Sequence, residues 1–280
     1  QLLPGLAKQV HEDGGALGLL SGGCIETSLV RDAVRAIGEG RSHVERYGAG
    51  SRFIDLRLPC GSGIDIYFDV GLPDAIGEGI LAAREERRPV TLLLDAQAHG
   101  HRLAPGDRRD VTGTAPGLYA RRYLPACRLV MAGSGAILLS LARLCRASEI
   151  EIDAVTTDRA TADAFAASGL SVSLVPRWAS CDWSGIDPWS GLVLLSHEHE
   201  EEADILIPAL SGHAFYIGAL GSRRTHEARR RTLRDAGVDE AAIARVRGPV
   251  GLPIGAASPP EIAVSVLAEL IDHWRRGPAA

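Results

Sequence analysis

A glycine-rich turn near the middle of the chain has the composition of a phosphate-binding loop. Gly133-Ser134-Gly135 follows an apolar run at 128–132 and opens a stretch with helical spacing. Glycines let the backbone approach a pyrophosphate, and the free N–H groups of a helix N-terminus favour its charge. Asp158 lies 25 residues after Gly133, near the place where an acid binds a ribose hydroxyl in such domains. The third glycine of this fingerprint is replaced by Leu138, so a domain that keeps the turn but binds no dinucleotide is the alternative.

A second turn of small residues, Gly221-Ser222-Arg223-Arg224, follows an apolar run at 214–220 and precedes a predicted helix. Free N–H groups, a hydroxyl and a guanidinium together suit a phosphate, because the guanidinium fork binds it through two hydrogen bonds. The alternative is a solvated basic helix start. Arginine opposes the helix dipole at that end unless an anion is present. We therefore favour an anion site formed by Gly221, Ser222 and Arg223.

Two histidines and a run of acids follow a predicted strand at 192–195. The sequence there reads His197-Glu198-His199, then three glutamates and, after one alanine, Asp204. Two histidines with nearby carboxylates can bind zinc or manganese. Acids are equally suited to a helix N-terminus, and we favour that interpretation over a dedicated metal site. His197 alone lies at the carboxyl end of a strand, where α/β proteins place ligand-contacting groups.

Two thiols lie beside glycines. Cys24 follows Gly22 and Gly23 at a predicted helix start, where the dipole lowers a thiol's pKa and makes it a better nucleophile or soft-metal ligand. Glu26 is placed to cap the same turn. Cys60 lies between a proline and a glycine in a constrained turn. For either thiol the alternative is a small buried core residue, and this is our interpretation of the three other cysteines, Cys127, Cys145 and Cys181.

Strands and helices alternate in the second half of the chain, which predicts a parallel α/β sheet. A final helix is predicted with Ser258 as its N-cap, Pro259 in its first turn and Glu261 completing a capping box. The predicted strands are 128–132, 150–156, 170–174, 192–195 and 214–220. One predicted helix runs from the Gly133 turn to about Arg146, and the others cover 159–167, 200–210 and 225–236. The apolar face of the final helix is predicted to be Ala263, Val266, Leu267, Leu270 and Ile271.

The first half of the chain is mixed, with a predicted helix at 24–38 and predicted strands at 64–68 and 90–94. The segment 104–117 is rich in glycine, proline and charge, which is typical of a loop or linker. We therefore predict an α/β protein of two domains. These are an amino-terminal mixed α/β domain at 1–115 and a carboxyl-terminal Rossmann-like parallel-sheet domain at 120–280.

Composition excludes several classes of protein. A formal net charge of −5 does not suit a general nucleic-acid binder, which needs an excess of lysine and arginine. No apolar run approaches the roughly 18–20 residues that span a bilayer, and no secretory signal pattern opens the sequence. The five scattered cysteines include no C-x-x-C pair, which favours reduced thiols. We expect a cytoplasmic protein with neither nucleic acid nor membrane as a partner.

Together these motifs resemble the XdhC/CoxI family. The matching segments occur in the family's order and cover nearly the whole chain, and the last two of them are long and specific. They are Ser21–Glu26, Pro59–Gly61, the Gly133 turn, Ser196-His197-Glu198, Tyr216–Arg224 and Gly248–Ala268.

The resemblance implies an accessory protein rather than a stand-alone enzyme. Its ligand would be molybdenum cofactor, in the molybdopterin or the dinucleotide form, bound by the residues singled out above. Cys24 and Cys60 would be the sulfur or molybdenum ligands, and Glu26 would be a further residue of the same site. The chain would support sulfuration of the cofactor and its insertion into a xanthine dehydrogenase-like or carbon monoxide dehydrogenase-like hydroxylase. A cysteine desulfurase and a second copy of the chain are further partners that the resemblance implies.

The chain departs from the family pattern at a few positions. Ala136 stands where the family has histidine, Ser62 where it has a second glycine, and Glu198 and Glu202 where it has aspartate. The Ala136 change removes a polar side chain from the nucleotide turn. Two other hypotheses stay open at this point. One is an NAD(P)-dependent oxidoreductase with His197 as its proton-transfer group, and the other is a scaffold with an empty site.

Overall fold

The computed structural model describes residues 9–18, 25–51, 61, 63–106, 117–183, 185–196 and 201–276. The chain divides into two units, Gln1–Pro125 and Ala126–Ala280, which we call the first and second units. No helix in the described ranges is both long and apolar enough to cross a membrane.

The described residues of the first unit form two helices and three small antiparallel sheets. The elements are β1 (Gln9–Val10), β2 (Ala16–Leu17), α1 (Glu26–Glu39), β3 (His43–Gly48), β4 (Gly63–Phe68), α2 (Asp74–Glu85), β5 (Val90–Asp95), β6 (Gly100–Pro105) and β7 (Leu118–Tyr123). The sheets are β1–β2, β3–β4 and a three-stranded sheet in the order β6-β5-β7. An apolar core joins α1 to the pair β3–β4 through Ile25, Leu29, Ala36, Tyr47 and Phe68.

The helix and the two strands predicted in this unit are present as α1, β4 and β5. The sequence reasoning missed α2, whose Gly77 and Gly79 lower its helix propensity. Gly79 lies against Leu103 of β6, so tertiary packing overrides that propensity. Pairing of β7 with β5 extends this unit to Pro125, past the predicted linker at 104–117.

The second unit is built on a six-stranded parallel sheet in the order β10-β9-β8-β11-β12-β13. Counted along this unit, the order is 3-2-1-4-5-6, which is the strand order of the Rossmann fold. The predicted parallel α/β domain is therefore confirmed. Its elements are β8 (Arg128–Gly133), α3 (Gly135–Ala147), β9 (Glu151–Thr156), α4 (Arg159–Ala167), β10 (Ser173–Leu174), a 3-10 turn (Trp178–Ser180), β11 (Ser190–Leu195), α5 (Ala203–Ser211), β12 (Tyr216–Ala219), α6 (Arg223–Asp235), α7 (Glu240–Ile243), β13 (Val246–Arg247) and α8 (Pro259–Arg276).

Alternate residues of the central strands face two separate cores. Leu129 and Met131 of β8 join a core with α3 and α8, whereas Val130 and Ala132 join a core with α5 and the segment around Trp178. This alternation follows from the two-residue period of a strand. Because both faces are covered, the sheet can be parallel and apolar throughout.

Some predicted bounds are corrected by the structure. The predicted strand 170–174 contains only Ser173 and Leu174, and the helix predicted at 225–236 already begins at Arg223. The helix predicted at 200–210 is Ala203–Ser211 within the described residues. Glu261 forms its half of the predicted capping box of α8, since the N–H groups of Ala257 and Ser258 both donate to its side chain. The apolar face of α8 ends before Ile271, which is 38% exposed.

A buried carboxylate ties α8 to the strands β12 and β13. Glu269 accepts hydrogen bonds from the Tyr216 hydroxyl at 2.6 Å, from Arg247 Nε at 2.8 Å and from the Gly251 N–H at 2.8 Å. Burial opposes ionisation of the carboxyl group, but these three donors together outweigh it and lower the pKa of Glu269. A carboxyl group whose pKa is lower in the folded state stabilises the fold above its unfolded pKa, and this stabilisation is lost as pH falls through the folded pKa.

Glu269→Gln should therefore reduce the free energy of unfolding at pH 7 by about 1.5–3 kcal/mol, because three donors lose a charged acceptor. The difference from wild type should shrink as pH falls below the usual glutamate pKa of about 4.3. Urea denaturation from pH 7 to pH 3 measures both effects. Glu227→Gln, which changes an exposed carboxylate, is the matched control. A Glu269→Gln penalty that grows toward low pH would contradict this account of the carboxylate.

Candidate functional site

The candidate site lies at the carboxyl edge of the parallel sheet in the second unit. The strand order reverses between β8 and β11, so the connections from these neighbouring strands leave toward opposite faces. Ligands of open α/β sheets bind in the crevice at such a switch point. The turn after β8 and the end of β11 meet there. The next strand of the sheet is β12, and the turn that follows it lies at the same edge.

The turn after β8 depends on its two glycines for different reasons. Gly133 pairs with Leu195 of β11, and a methyl group at position 133 would overlap the main chain of Leu195. Gly135 has φ +78°, and a methyl group there would meet nothing within 4 Å among the described atoms. Gly133 therefore allows the two strands to approach, and Gly135 leaves an open surface in front of the helix.

The N-terminus of α3 presents main-chain donors to this open surface. The side chain of Ser134 makes no capping hydrogen bond within the described part of the chain. First-turn N–H groups have no acceptor inside their own helix. The N–H groups of Ala136 and Ile137 can therefore bind a phosphate. The alanine at 136 contributes only its main chain, and Leu138, which replaces the third glycine, is fully buried in the core.

The Thr161 hydroxyl links Asp158 to the glycine turn through two hydrogen bonds. The Gly135 N–H donates to Thr161 Oγ1 at 2.8 Å, and that hydroxyl donates to Asp158 Oδ2 at 2.6 Å. The Thr161 N–H donates to the same oxygen at 2.8 Å, so Asp158 is also the N-cap of α4. The hydrogen bond from the Thr161 hydroxyl is the main cause of the lowered pKa of Asp158. The structure thus connects Asp158 to Gly135 through Thr161. The sequence reasoning missed Thr161, which lies three residues after Asp158, the N-cap of α4.

The turn after β12 presents a hydroxyl and two cations. Ser222 is the N-cap of α6, and its Oγ accepts from the Thr225 N–H at 3.2 Å. Arg223 and Arg224 occupy the first turn of α6, and both are exposed. Two exposed cations at the positive end of a helix dipole are electrostatically unfavourable unless an anion is bound there. This arrangement suits an anionic ligand.

Several predicted site residues lie outside the described residues. Gly22, Gly23, Cys24, Cys60 and His197 belong to this group, so their roles stay predictions. Glu26 is described, and it is the first residue of α1.

The three cysteines interpreted as structural are all described. Burial raises the pKa of Cys145 to about 12 and also raises the pKa of Cys181, which disfavours a thiolate at either position. Cys127 packs against the core around α3.

Comparison with known proteins matches both units. A model of the XdhC Rossmann domain matches residues 129–270, and a model of the XdhC and CoxI family matches residues 3–48. The chain is 32% identical over 261 residues to the molybdenum cofactor insertion chaperone PaoD of Escherichia coli (strain K12), a match that covers 93% of this chain and 75% of that protein. It is 29% identical over 163 residues to a probable xanthine dehydrogenase subunit of Bacillus subtilis (strain 168), covering 57% of this chain and 46% of that protein.

A solved structure of a similar protein shares the fold. It is a xanthine dehydrogenase from Bacillus halodurans, with a TM-score of 0.74 and 21% sequence identity. The match covers 96% of this chain and 86% of that one.

The two glycines of the β8 turn should respond differently to substitution by alanine. Gly135→Ala should lower the free energy of unfolding by about 1–2 kcal/mol, the penalty for a side chain in the left-handed region. Gly133→Ala should lower it by about 3 kcal/mol or more, because the new methyl group forces the strands apart. Urea denaturation of both variants gives the comparison. Equal losses, or a larger loss for Gly135→Ala, would show that Gly133 does not control the approach of β8 and β11.

Proposed function

This chain belongs to the XdhC and CoxI family, and from this membership and the geometry of its second unit we propose that it binds molybdenum cofactor and delivers it to a molybdenum hydroxylase. The name of PaoD, a molybdenum cofactor insertion chaperone, supports this role. The observation that carries the proposal is the switch-point crevice, where the donors of the β8 turn lie on the same sheet edge as the β12 turn. The cofactor is cargo here, and it supplies the redox chemistry of the client enzyme.

The described residues fit the phosphate end of the cofactor. In the proposed complex the N–H groups of Ala136 and Ile137 bind one phosphate, and Gly135 leaves space for it. Ser222 and Arg223 bind phosphate oxygens from the neighbouring turn. If the cargo is the dinucleotide form, Asp158 accepts a hydrogen bond from its ribose.

The two cysteines predicted to be functional, Cys24 and Cys60, belong to the first unit. We propose Cys24 and Cys60 as thiolate ligands of molybdenum or carriers of sulfur, with Glu26 beside Cys24. A soft thiolate suits both molybdenum and persulfide sulfur. On this proposal the chain works in the cytoplasm with a cysteine desulfurase as sulfur source, and it forms a homodimer. The client is a xanthine dehydrogenase-like or carbon monoxide dehydrogenase-like hydroxylase.

An NAD(P)-dependent oxidoreductase is the second candidate, and the position of Asp158 after β9 favours it. Against it stands Leu138, whose side chain fills the core where dinucleotide fingerprints have a glycine. Hydride transfer also requires a group that moves a proton on the substrate, and His197 is the one candidate from the sequence.

The proposed function is tested by purifying the full chain without oxygen from cells that make molybdenum cofactor. Bound molybdenum and the fluorescence of the oxidised pterin should be present in a constant ratio, and no nicotinamide should be turned over. Cys24→Ser and Cys60→Ser should retain less molybdenum, because each removes a proposed soft ligand, while Cys145→Ser is the matched control. A chain without pterin that oxidises NAD(P)H with a simple carbonyl substrate would instead be an oxidoreductase.

Arg223→Ala should weaken binding of the cofactor about ten- to a hundred-fold, because one charge-assisted hydrogen bond is worth about 1.5–3 kcal/mol. Stability should hardly change, since Arg223 is exposed. Anaerobic titration of the folded variant with molybdenum cofactor measures the affinity. Arg231→Ala removes an exposed arginine two turns further along α6 and should bind like wild type. Equal affinity of the Arg223→Ala variant and wild type would make Arg223 a solvated helix residue.

A further inference from the structure

A buried ion pair joins the start of α5 to the middle of α6. Arg229 Nε donates to Glu202 Oε2 at 2.6 Å, and Arg229 Nη2 donates to Glu202 Oε1 at 3.0 Å. The side chains of Arg229 and Glu202 are only 2% and 5% exposed. Glu202 also stands at the N-cap of α5, directly after the segment that follows β11.

The same guanidinium also holds the main chain in front of the proposed anion site. Arg229 Nη2 donates to the Leu220 carbonyl at 2.7 Å. The Leu220 N–H donates to the Leu194 carbonyl of β11 at 2.8 Å, so residue 220 is fixed from both sides. Gly221 and Ser222 follow immediately. Arg229 therefore links the connection after β11 to the turn after β12.

The loop after β13 also packs near Arg229, through His226. His226 lies one turn before Arg229 on α6, with Nδ1 3.5 Å from Arg229 Nη1. Its ring lies against Gly248, where a methyl group would overlap it. Burial, aided by the charge of Arg229, lowers the pKa of His226, so at neutral pH the ring adds no second charge. The loop after β13 is thereby packed against the residues that hold the β12 turn.

Stability alone is a weak reason for such a pair. Removing two charges from water is unfavourable, and apolar side chains of similar volume are often as stabilising or more so. An apolar pair could not, however, hold the Leu220 carbonyl through a hydrogen bond. The contact that distinguishes the ion pair from an apolar replacement is therefore its bond to the main chain of the turn.

We propose that Arg229 and Glu202 are positioning residues that keep the turn carrying Ser222 and Arg223 in its binding conformation before the cofactor arrives. This inference rests on the proposed function, in which that turn binds the cofactor's phosphate. Neither residue touches the ligand in this arrangement. A turn that is ordered in advance binds more tightly, because less conformational freedom is lost on binding.

The test replaces both charges together, which avoids leaving either one buried alone. Glu202→Leu/Arg229→Met should keep the thermal stability of wild type or exceed it. Amide hydrogen exchange at Leu220, Thr225 and His226 should become about tenfold faster, and the affinity for molybdenum cofactor about tenfold weaker, which corresponds to one lost hydrogen bond. The control is Glu240→Leu/Arg234→Met, which removes a pair between α6 and α7 whose side chains are about half exposed and should change neither quantity.

The possible outcomes separate the inference from the proposed function. Unchanged exchange in the turn overturns the inference, and so does faster exchange with unchanged affinity. If the double variant does not fold, Arg229→Lys keeps the charge but cannot reach all three acceptors, and it should shift both measurements in the same direction. If wild type binds no molybdenum cofactor, the proposed function fails, and the exchange rates alone decide whether the ion pair holds the turn.

Discussion

The close contact between the carboxyl ends of β8 and β11 is the constraint on which the site depends. Gly133 lies beside Leu195 because it has no side chain, and the Ser134 N–H donates to the Leu195 carbonyl at 3.3 Å. The chain then turns into α3 on one face, while the connection after β11 leads to α5 on the other. The crevice between these two connections exists because β8 and β11 stay paired up to their last residues.

Internal hydrogen bonds order both turns at this edge. On the β9 side, Thr161 joins Gly135 to Asp158. On the β12 side, Arg229 joins Glu202 to the Leu220 carbonyl. Thr161 lies on the neighbouring helix α4, whereas Arg229 lies on α6, the helix that the β12 turn itself opens. Both glycine turns therefore acquire a defined shape from side chains outside the turn. In the proposed function such preorganisation favours capture of the cofactor, because binding then requires little rearrangement.

Local patterns in the sequence predicted much of the second unit. The apolar run of β8, the glycine turn and the glutamate of the α8 capping box each act over a few residues, and each is present. The ion pair of Arg229 was missed because its partner Glu202 lies 27 residues away in sequence. A signal did exist, since Arg229 lies four residues before the buried Leu233 and therefore on the core face of α6. In the first unit, α2 was missed because its glycines weaken the helical pattern. Packing against β6 stabilises the helix despite its low helix propensity. Asp158 was predicted as a ribose ligand, but only the structure shows that it also caps α4.

The central claim is that the switch-point crevice of the second unit holds the phosphate end of the cofactor. Amide hydrogen exchange along the full chain, measured without oxygen in the presence and absence of molybdenum cofactor, tests this claim most directly. Bound cofactor should slow exchange at 135–138 and at 222–226, where helix N-termini face the ligand, and should leave the carboxyl end of α8 unchanged. If the chain holds the cofactor but exchange slows at neither 135–138 nor 222–226, the claim is contradicted.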